Sequence, residues 1–224
     1  MGAVPTPGVT HAGSILERCF FTLIAAEFLL ITFVSFVPNS LAIIEGTKAN
    51  PPLLIHGHAA LMYSWLIAFL AQAYFVSSGR LKLHVEAGKL FFVLGIGVAI
   101  SSVYFSLFWP GDGFGKIKIP MAVERIGLFS LFLYMAFVSR GKNSESHKRY
   151  IMLATLIPLD AALNRMPWLP TFGLVWATPI WVILLLSQLV VYDVVRLGTI
   201  HKATAIGGGL ISAYWLGMIF LMKF

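Results

Sequence analysis

Read for hydrophobic and polar positions alone, the chain is a succession of long apolar runs parted by short polar ones. Runs of roughly 20 residues suffice to cross about 30 Å of hydrocarbon at about 1.5 Å per residue. They fall near 16–37, 53–77, 90–109, 121–139, 150–166, 173–195 and 203–222. None alternates with the period of two that the strands of a membrane barrel require. The pattern therefore predicts an all-α fold, a bundle of seven transmembrane helices. The longest connection, 38–52, leaves no room for a further domain, so 1–224 reads as one integral membrane domain with a short cytoplasmic tail over 1–15.

Three of the polar connections resemble one another: FVSSGRLKLH ending at His84, FVSRGKNSESH ending at His147, and VVRLGTIH ending at His201. Each leaves a helix through a glycine and a basic residue and reaches a histidine that opens the next helix. This predicts one leading helix followed by three related helical hairpins. A glycine stop and a basic residue at the inner membrane face account for the first two features without any function. The histidines admit a second account, in which three neutral imidazoles converge on a metal or haem near the inner face.

Composition and charge agree with a membrane protein and add an orientation. Hydrophobic residues make up 58% of the chain and charged ones 11%, with a mean hydropathy of +0.86, which excludes an ordinary soluble domain. With the N-terminus inside, ten basic residues lie in or beside inner segments against five outside, so N-in and C-out is expected. The net charge of +7 then reflects topology and contact with the lipid bilayer, and no nucleic-acid-binding patch is present. Cys19, the single cysteine, cannot form an internal disulfide. The stretch MGAVPTPGVTHAG lacks the basic start of a signal peptide, and the tail is expected to be retained.

Ionisable and other strongly polar residues deep in lipid are costly, the charged ones by a few kcal/mol each on insertion scales, and tend to face the bundle interior. They are Glu27, His56, His58, Glu124, Arg125, Asp160, Asn164 and Arg165, and all but Glu27 fall in the outer half of their spans. One outer pocket shared by His58, Glu124, Arg125, Asp160 and Asn164 is the expectation. The structural alternative pairs Arg125 and Arg165 with Glu124 or Asp160 to hold two helices together. Glu27, at mid-span, is expected to be protonated or partnered by a histidine. His56 and His58 stand about 200° apart around a helix, so only one can face inward. His58 shares a stripe with Met62, Trp65, Phe69 and Gln72, and His56 becomes a rim or supporting group. Gly95, Ala99 and Ser102, and Gly207 to Gly209, have the spacing of close helix packing. Trp109, Trp168, Trp176 and Trp181 lie where an outer aromatic belt would stand.

The series HGHAALMYSW, Gln72, GRLKLHVEAGK, ESHKRYIMLATLIPLDAALNR and VYDVVRLGTIHKA resembles a widespread group of uncharacterised bacterial seven-helix membrane proteins. The likeness covers about residues 52 to 210 and rests on the spacing of His58, Trp65, Gln72 and His84. It implies a multi-pass protein of the bacterial inner membrane. More distantly the chain is similar to small membrane proteins involved in haem-copper oxidase assembly, which also place histidines at helix ends. One departure is Asp160, where the group has a proline or a small residue, and this implies an added ligand or charge.

Two function classes follow. The first is a membrane protein binding haem or a transition metal through histidines of several helices, in electron transfer or redox-enzyme assembly, with other membrane redox subunits as partners and with oligomerisation open. Its cofactor-binding candidates are His56, His58, His84, His147, His201, Gln72, Arg125 and Asn164, and its non-haem metal candidates are His58, Glu124, Asp160 and Glu27. The second is a proton-coupled transporter or channel using Glu27, His58, Asp160 and Arg125 as a path, for which Pro158 and Pro179 would supply broken helices. A hydrolase with a histidine-bound zinc is a third possibility. No nucleotide-binding loop, Ser-His-Asp order or CxxC pair is present.

Overall fold

The computed structural model describes residues 11–108, 118–166 and 174–223. Its elements are α1 (His11–Ile44), α2 (Leu53–Ser77), α3 (Leu81–Phe108), α4 (Lys118–Ser139), α5 (Ser144–Leu156), a 3-10 turn (Ile157–Leu159), the short continuation α6 (Asp160–Leu163), α7 (Leu174–Leu197) and α8 (Lys202–Lys223). All the regular structure among the described residues is helical. Trp109, Trp168 and the side chain of Trp176 lie outside the described residues, so of the expected belt only Trp181 is placed, half-buried against the core.

Several helices extend beyond their apolar runs. The first turns of α3 and α5 carry charged and polar residues that a hydropathy reading assigns to loops. Yet α3 starts at Leu81 rather than near 90, and α5 at Ser144 rather than 150. Asn143 caps α5 by accepting the Ser146 N–H at 2.9 Å. Helix α1 continues past Pro38 to Ile44, and Pro179 lies within α7, so neither proline ends its helix. Pro158 coincides with the change from α-helix to 3-10 turn in the middle of 144–163.

The three related connections are alike in backbone as well as sequence. Gly79, Gly141 and Gly198 each follow a helix end with φ of 75°, 72° and 70°, the left-handed conformation that glycine adopts without a Cβ clash. Each joins an antiparallel pair, α2 to α3, α4 to α5 and α7 to α8, whose members pack together. One leading helix and three hairpins describes the arrangement.

Neighbour relations close into a ring: α1 packs on α2, α2 on α3, α3 on α4, α4 on α8, α8 on α7 and α7 on α1. Helix α5 packs against α1, α4, α7 and α8, and every residue from Arg149 to Ile157 is buried. It is the central strut of the bundle. The six ring helices carry lipid-compatible outer faces, with Leu30, Ile67, Val93, Tyr134, Ile183 and Leu216 among their exposed apolar residues. These six are long and apolar enough to cross a membrane. The 144–163 segment differs because its continuous helix is short and it carries Glu145, Lys148, Arg149 and Asp160.

Small residues let the ring close on the strut. A Cβ on Gly207 of α8 would collide with Leu153 of α5, and one on Gly95 of α3 would stand 2.8 Å from both Leu133 Cδ2 and Trp65 Cζ3. Trp65 is fully buried, stacks on Phe91 at 4.2 Å, and donates its indole N–H to Thr155 Oγ1 of α5 at 3.2 Å. Met62, Trp65, Phe69 and Gln72 form an inward stripe, as their spacing predicts. Gly95→Ala is therefore expected to lower stability by about 1–3 kcal/mol through overpacking against a rigid indole. Gly209→Ala, where nothing lies within 4 Å, is expected to leave it unchanged or slightly raised. Thermal unfolding in detergent followed by intrinsic fluorescence measures both.

Candidate functional site

Of the three loop histidines, two meet. His84, in the first turn of α3, and His147, in the first turn of α5, have ring centroids 6.3 Å apart and planes at 84°. Each is held by the helix that precedes it. His147 Nδ1 lies 2.8 Å from the Ala136 carbonyl oxygen, and His84 Nδ1 lies 3.4 Å from that of Gln72. A carbonyl oxygen only accepts, so each Nδ1 carries the proton and each neutral ring presents its lone pair at Nε2. Neither Nε2 has a hydrogen-bond partner among the described residues. A ring fixed through Nδ1–H with Nε2 left open is the preparation typical of metal-ligating histidines.

The surroundings of this pair are partly apolar and partly basic. Phe92 lies 6.4 Å from the His147 ring, and the Arg140 guanidinium stands over Phe137 at 3.9 Å and Phe92 at 5.8 Å. Gln72 is buried, and a Cβ on Gly88, one turn beyond His84, would stand 3.8 Å from its Oε1.

His201 has a different task. Its backbone N–H donates to Asp193 Oδ2 at 3.0 Å and its Nδ1 accepts the Ala203 N–H at 3.1 Å, so it caps α8. The three-histidine convergence thus reduces to two, because the third hairpin commits its histidine to the helix end. Asp193 is fully buried and also takes the fully buried Arg149 guanidinium through Nε at 2.8 Å and through Nη2. Arg149 Nη1 donates to the Glu145 carbonyl oxygen at 2.8 Å and to its Oε2 at 2.6 Å. Partial burial pushes the Glu145 carboxyl up, but hydrogen bonds from Arg196, Lys148 and Arg149 outweigh it and hold its pKa at about 2.

The outer polar residues divide into separate partner sets. Arg125 pairs with the buried Asp160 at 2.6 Å and donates to Tyr214 Oη at 2.9 Å, fastening α4 to α6 and α8. Asn164 accepts from Thr178 of α7. Arg165 donates to the Ala161 carbonyl oxygen and stands over Phe36. Glu124 is exposed. Glu27 accepts from Gln188 of α7 at 3.0 Å, so of its two expected states the one with a histidine partner is replaced by an amide partner. His56 is exposed and bonded to Asn50 at 2.9 Å, the rim position its angle around the helix allows. His58 turns to α3, where its Nδ1 meets Ser101 Oγ at 3.0 Å and its ring stacks on Phe105.

Among the described residues no group of three or more His, Cys, Asp or Glu side chains could hold a metal, so the proposed outer set of His58, Glu124, Asp160 and Glu27 is not assembled. Sequence reasoning named His84, His147 and the Arg125–Asp160 pair. It missed Asp193 as the partner of Arg149, Gln188 as that of Glu27 and Ser101 as that of His58. Only Asp193, in the quoted Tyr-Asp, carried a signal.

No family model, curated protein or solved structure matches the chain.

Replacing Asp193 by alanine leaves a fully buried guanidinium without its main partner and is expected to cost about 3–5 kcal/mol, read as loss of folded protein in detergent. Glu145 has a folded pKa depressed from an ordinary 4.5 to about 2. Its stabilising contribution is therefore complete above 4.5 and lost as pH falls toward about 2. The acid-side decline of the unfolding temperature should flatten in Glu145→Gln.

Proposed function

We propose that the chain is a seven-span protein of the bacterial inner membrane that binds a transition-metal centre through His84 and His147, serving electron transfer or the assembly of a membrane redox enzyme. In this reading residues 150–166 form the seventh span, shielded from lipid by the other six, and the histidine pair lies near the cytoplasmic face.

The observation that carries the reading is the geometry of the pair. Two neutral imidazoles held with their rings close together would share one metal ion through their Nε2 atoms. The separation here is 6.3 Å. Both Nε2 atoms are open and both rings are fixed from behind. Among the described residues two side chains of ligand type meet there and no third joins them, a donor set that would suit haem iron better than a four-ligand zinc site. The cationic Arg140, beside Phe92, suits a group bearing carboxylates. Bound iron would supply one-electron chemistry. The proton-path alternative has less support, because Glu27, His58 and Asp160 have three different sets of partners.

Absorption spectra and elemental analysis of the detergent-purified protein test this. Haem or stoichiometric metal is expected, lost in both His84→Ala and His147→Ala and kept in His56→Ala and His201→Ala. A protein with neither haem nor metal, or one whose content ignores His84 and His147, refutes it. Orientation is tested by reporter fusions after Gly141 and after Lys48. Cytoplasmic signal at the former and periplasmic signal at the latter are expected, and the reverse overturns the topology.

A further inference from the structure

The seam between α3 and α4 carries cations without counter-charges at the end of the bundle that holds the histidine pair. Arg140 directly follows α4, and its guanidinium lies over Phe137 at 3.9 Å and over Phe92 of α3 at 5.8 Å. The two rings meet edge to face across the seam at 5.1 Å, so the planar fork rests on an aromatic floor. Lys89 stands three residues before Phe92 on α3, the spacing at which helical side chains are neighbours. Both cations are exposed, and neither has an ion-pair or side-chain hydrogen-bond partner among the described residues.

Lys148 shows what this seam lacks. Its ammonium also lies over two rings, Phe21 at 5.2 Å and Tyr192 at 5.8 Å, but it is paired with Glu145 at 2.9 Å. Arg196, in the last turn of α7, pairs with the same carboxylate. On α3 the acid nearest in sequence, Glu86, is exposed and pairs with neither Lys89 nor Arg140. From the two cations the exposed faces continue as apolar surface, through Val93, Ile96 and Ile100 on α3 and through Tyr134 and Leu131 on α4. The eleven residues from Lys89 to Ile100 correspond to roughly 16 Å of helix. That is half of about 30 Å of hydrocarbon, the depth that the acyl chains of one leaflet fill.

We infer that the α3–α4 seam binds one anionic phospholipid, its phosphodiester between Arg140 and Lys89 and its acyl chains along the apolar faces that descend from them. Basic pockets between membrane helices take headgroups of this kind. A zwitterionic headgroup brings its own ammonium, which the two cations repel, and a soluble anion leaves the apolar faces unused. Each basic residue beside an anionic headgroup contributes about fivefold in affinity, so the pair contributes about 25-fold. One carboxylate takes two of the five donors of a guanidinium. The lipid is therefore compatible with a carboxylate-bearing group at the histidine pair, and the inference does not rest on one.

Native mass spectrometry of the detergent-solubilised full-length protein, titrated with dioleoyl phosphatidylglycerol or dioleoyl phosphatidylethanolamine, tests the inference. The first phosphatidylglycerol should bind about tenfold or more tightly than the first phosphatidylethanolamine. Arg140→Gln and Lys89→Gln should each lower that ratio about fivefold. Lys202→Gln, which removes an exposed cation at the start of α8, should leave it unchanged. Each ratio compares two lipids on one protein sample, so it is insensitive to the yield of folded variant. Equal affinity for the two lipids, or a ratio unchanged in either seam variant, would overturn the inference. So would a ratio that falls as far in Lys202→Gln, which would mean diffuse surface charge. Inorganic phosphate at the lipid concentration should not displace the phosphatidylglycerol, and displacement would replace the lipid site with a free-ion site. Metal content does not enter the readout, so this inference and the ligation by His84 and His147 fail separately.

Discussion

The arrangement depends on burying a helix that carries charge. A guanidinium in an apolar interior is tolerated only when its donors are matched. Arg149 meets this condition by engaging Asp193 from α7 and Glu145 from its own helix. Asp193 in turn binds the backbone at the start of α8, so one residue ties the central strut, the last hairpin and its turn together. Toward the other end of the segment, Asp160 is matched by Arg125 of α4. Between the two, Thr155 accepts the Trp65 indole N–H. The strut is thus registered by polar contacts at three heights, while apolar contacts fill the space between them.

That registration also fixes the histidine pair. His147 is two residues before Arg149, so the pairing that holds α5 sets the height and rotation of its imidazole. His84 comes from the preceding hairpin through an equivalent device: a left-handed glycine, then a helix whose early histidine points its Nδ1 back at a carbonyl of the helix before it. The recurrence in α2–α3 and α4–α5 explains why these two rings are held alike. Its absence in α7–α8 has a local cause, since Asp193 occupies the backbone of the third histidine and the imidazole caps α8 instead.

Much of the fold was legible because hydropathy and glycine placement are local properties. The six apolar helices, the three glycine-ended connections and the inward stripe through Trp65 and Gln72 all follow from spacing. What could not be read is which helix stands in the middle. The central helix is the least apolar of the set, since its charges are compensated by Asp193 and Arg125 from other parts of the chain. Sequence reasoning accordingly took His58 for an inward-facing ligand in the outer half of its span and grouped it with Asp160. In space the two have different partners, because a partner such as Ser101, 43 residues away, leaves no mark in the sequence. The Arg125–Asp160 pair was anticipated because a charge at that depth needs an opposite one.

The central claim is that His84 and His147 together ligate one metal centre. X-ray absorption fine structure at the edge of whatever metal accompanies the purified protein counts the imidazoles directly. The account predicts two histidine nitrogens at about 2.0–2.1 Å, falling to one or none in His147→Ala. A metal coordinated without imidazole, or with an imidazole count unchanged by that substitution, would contradict it.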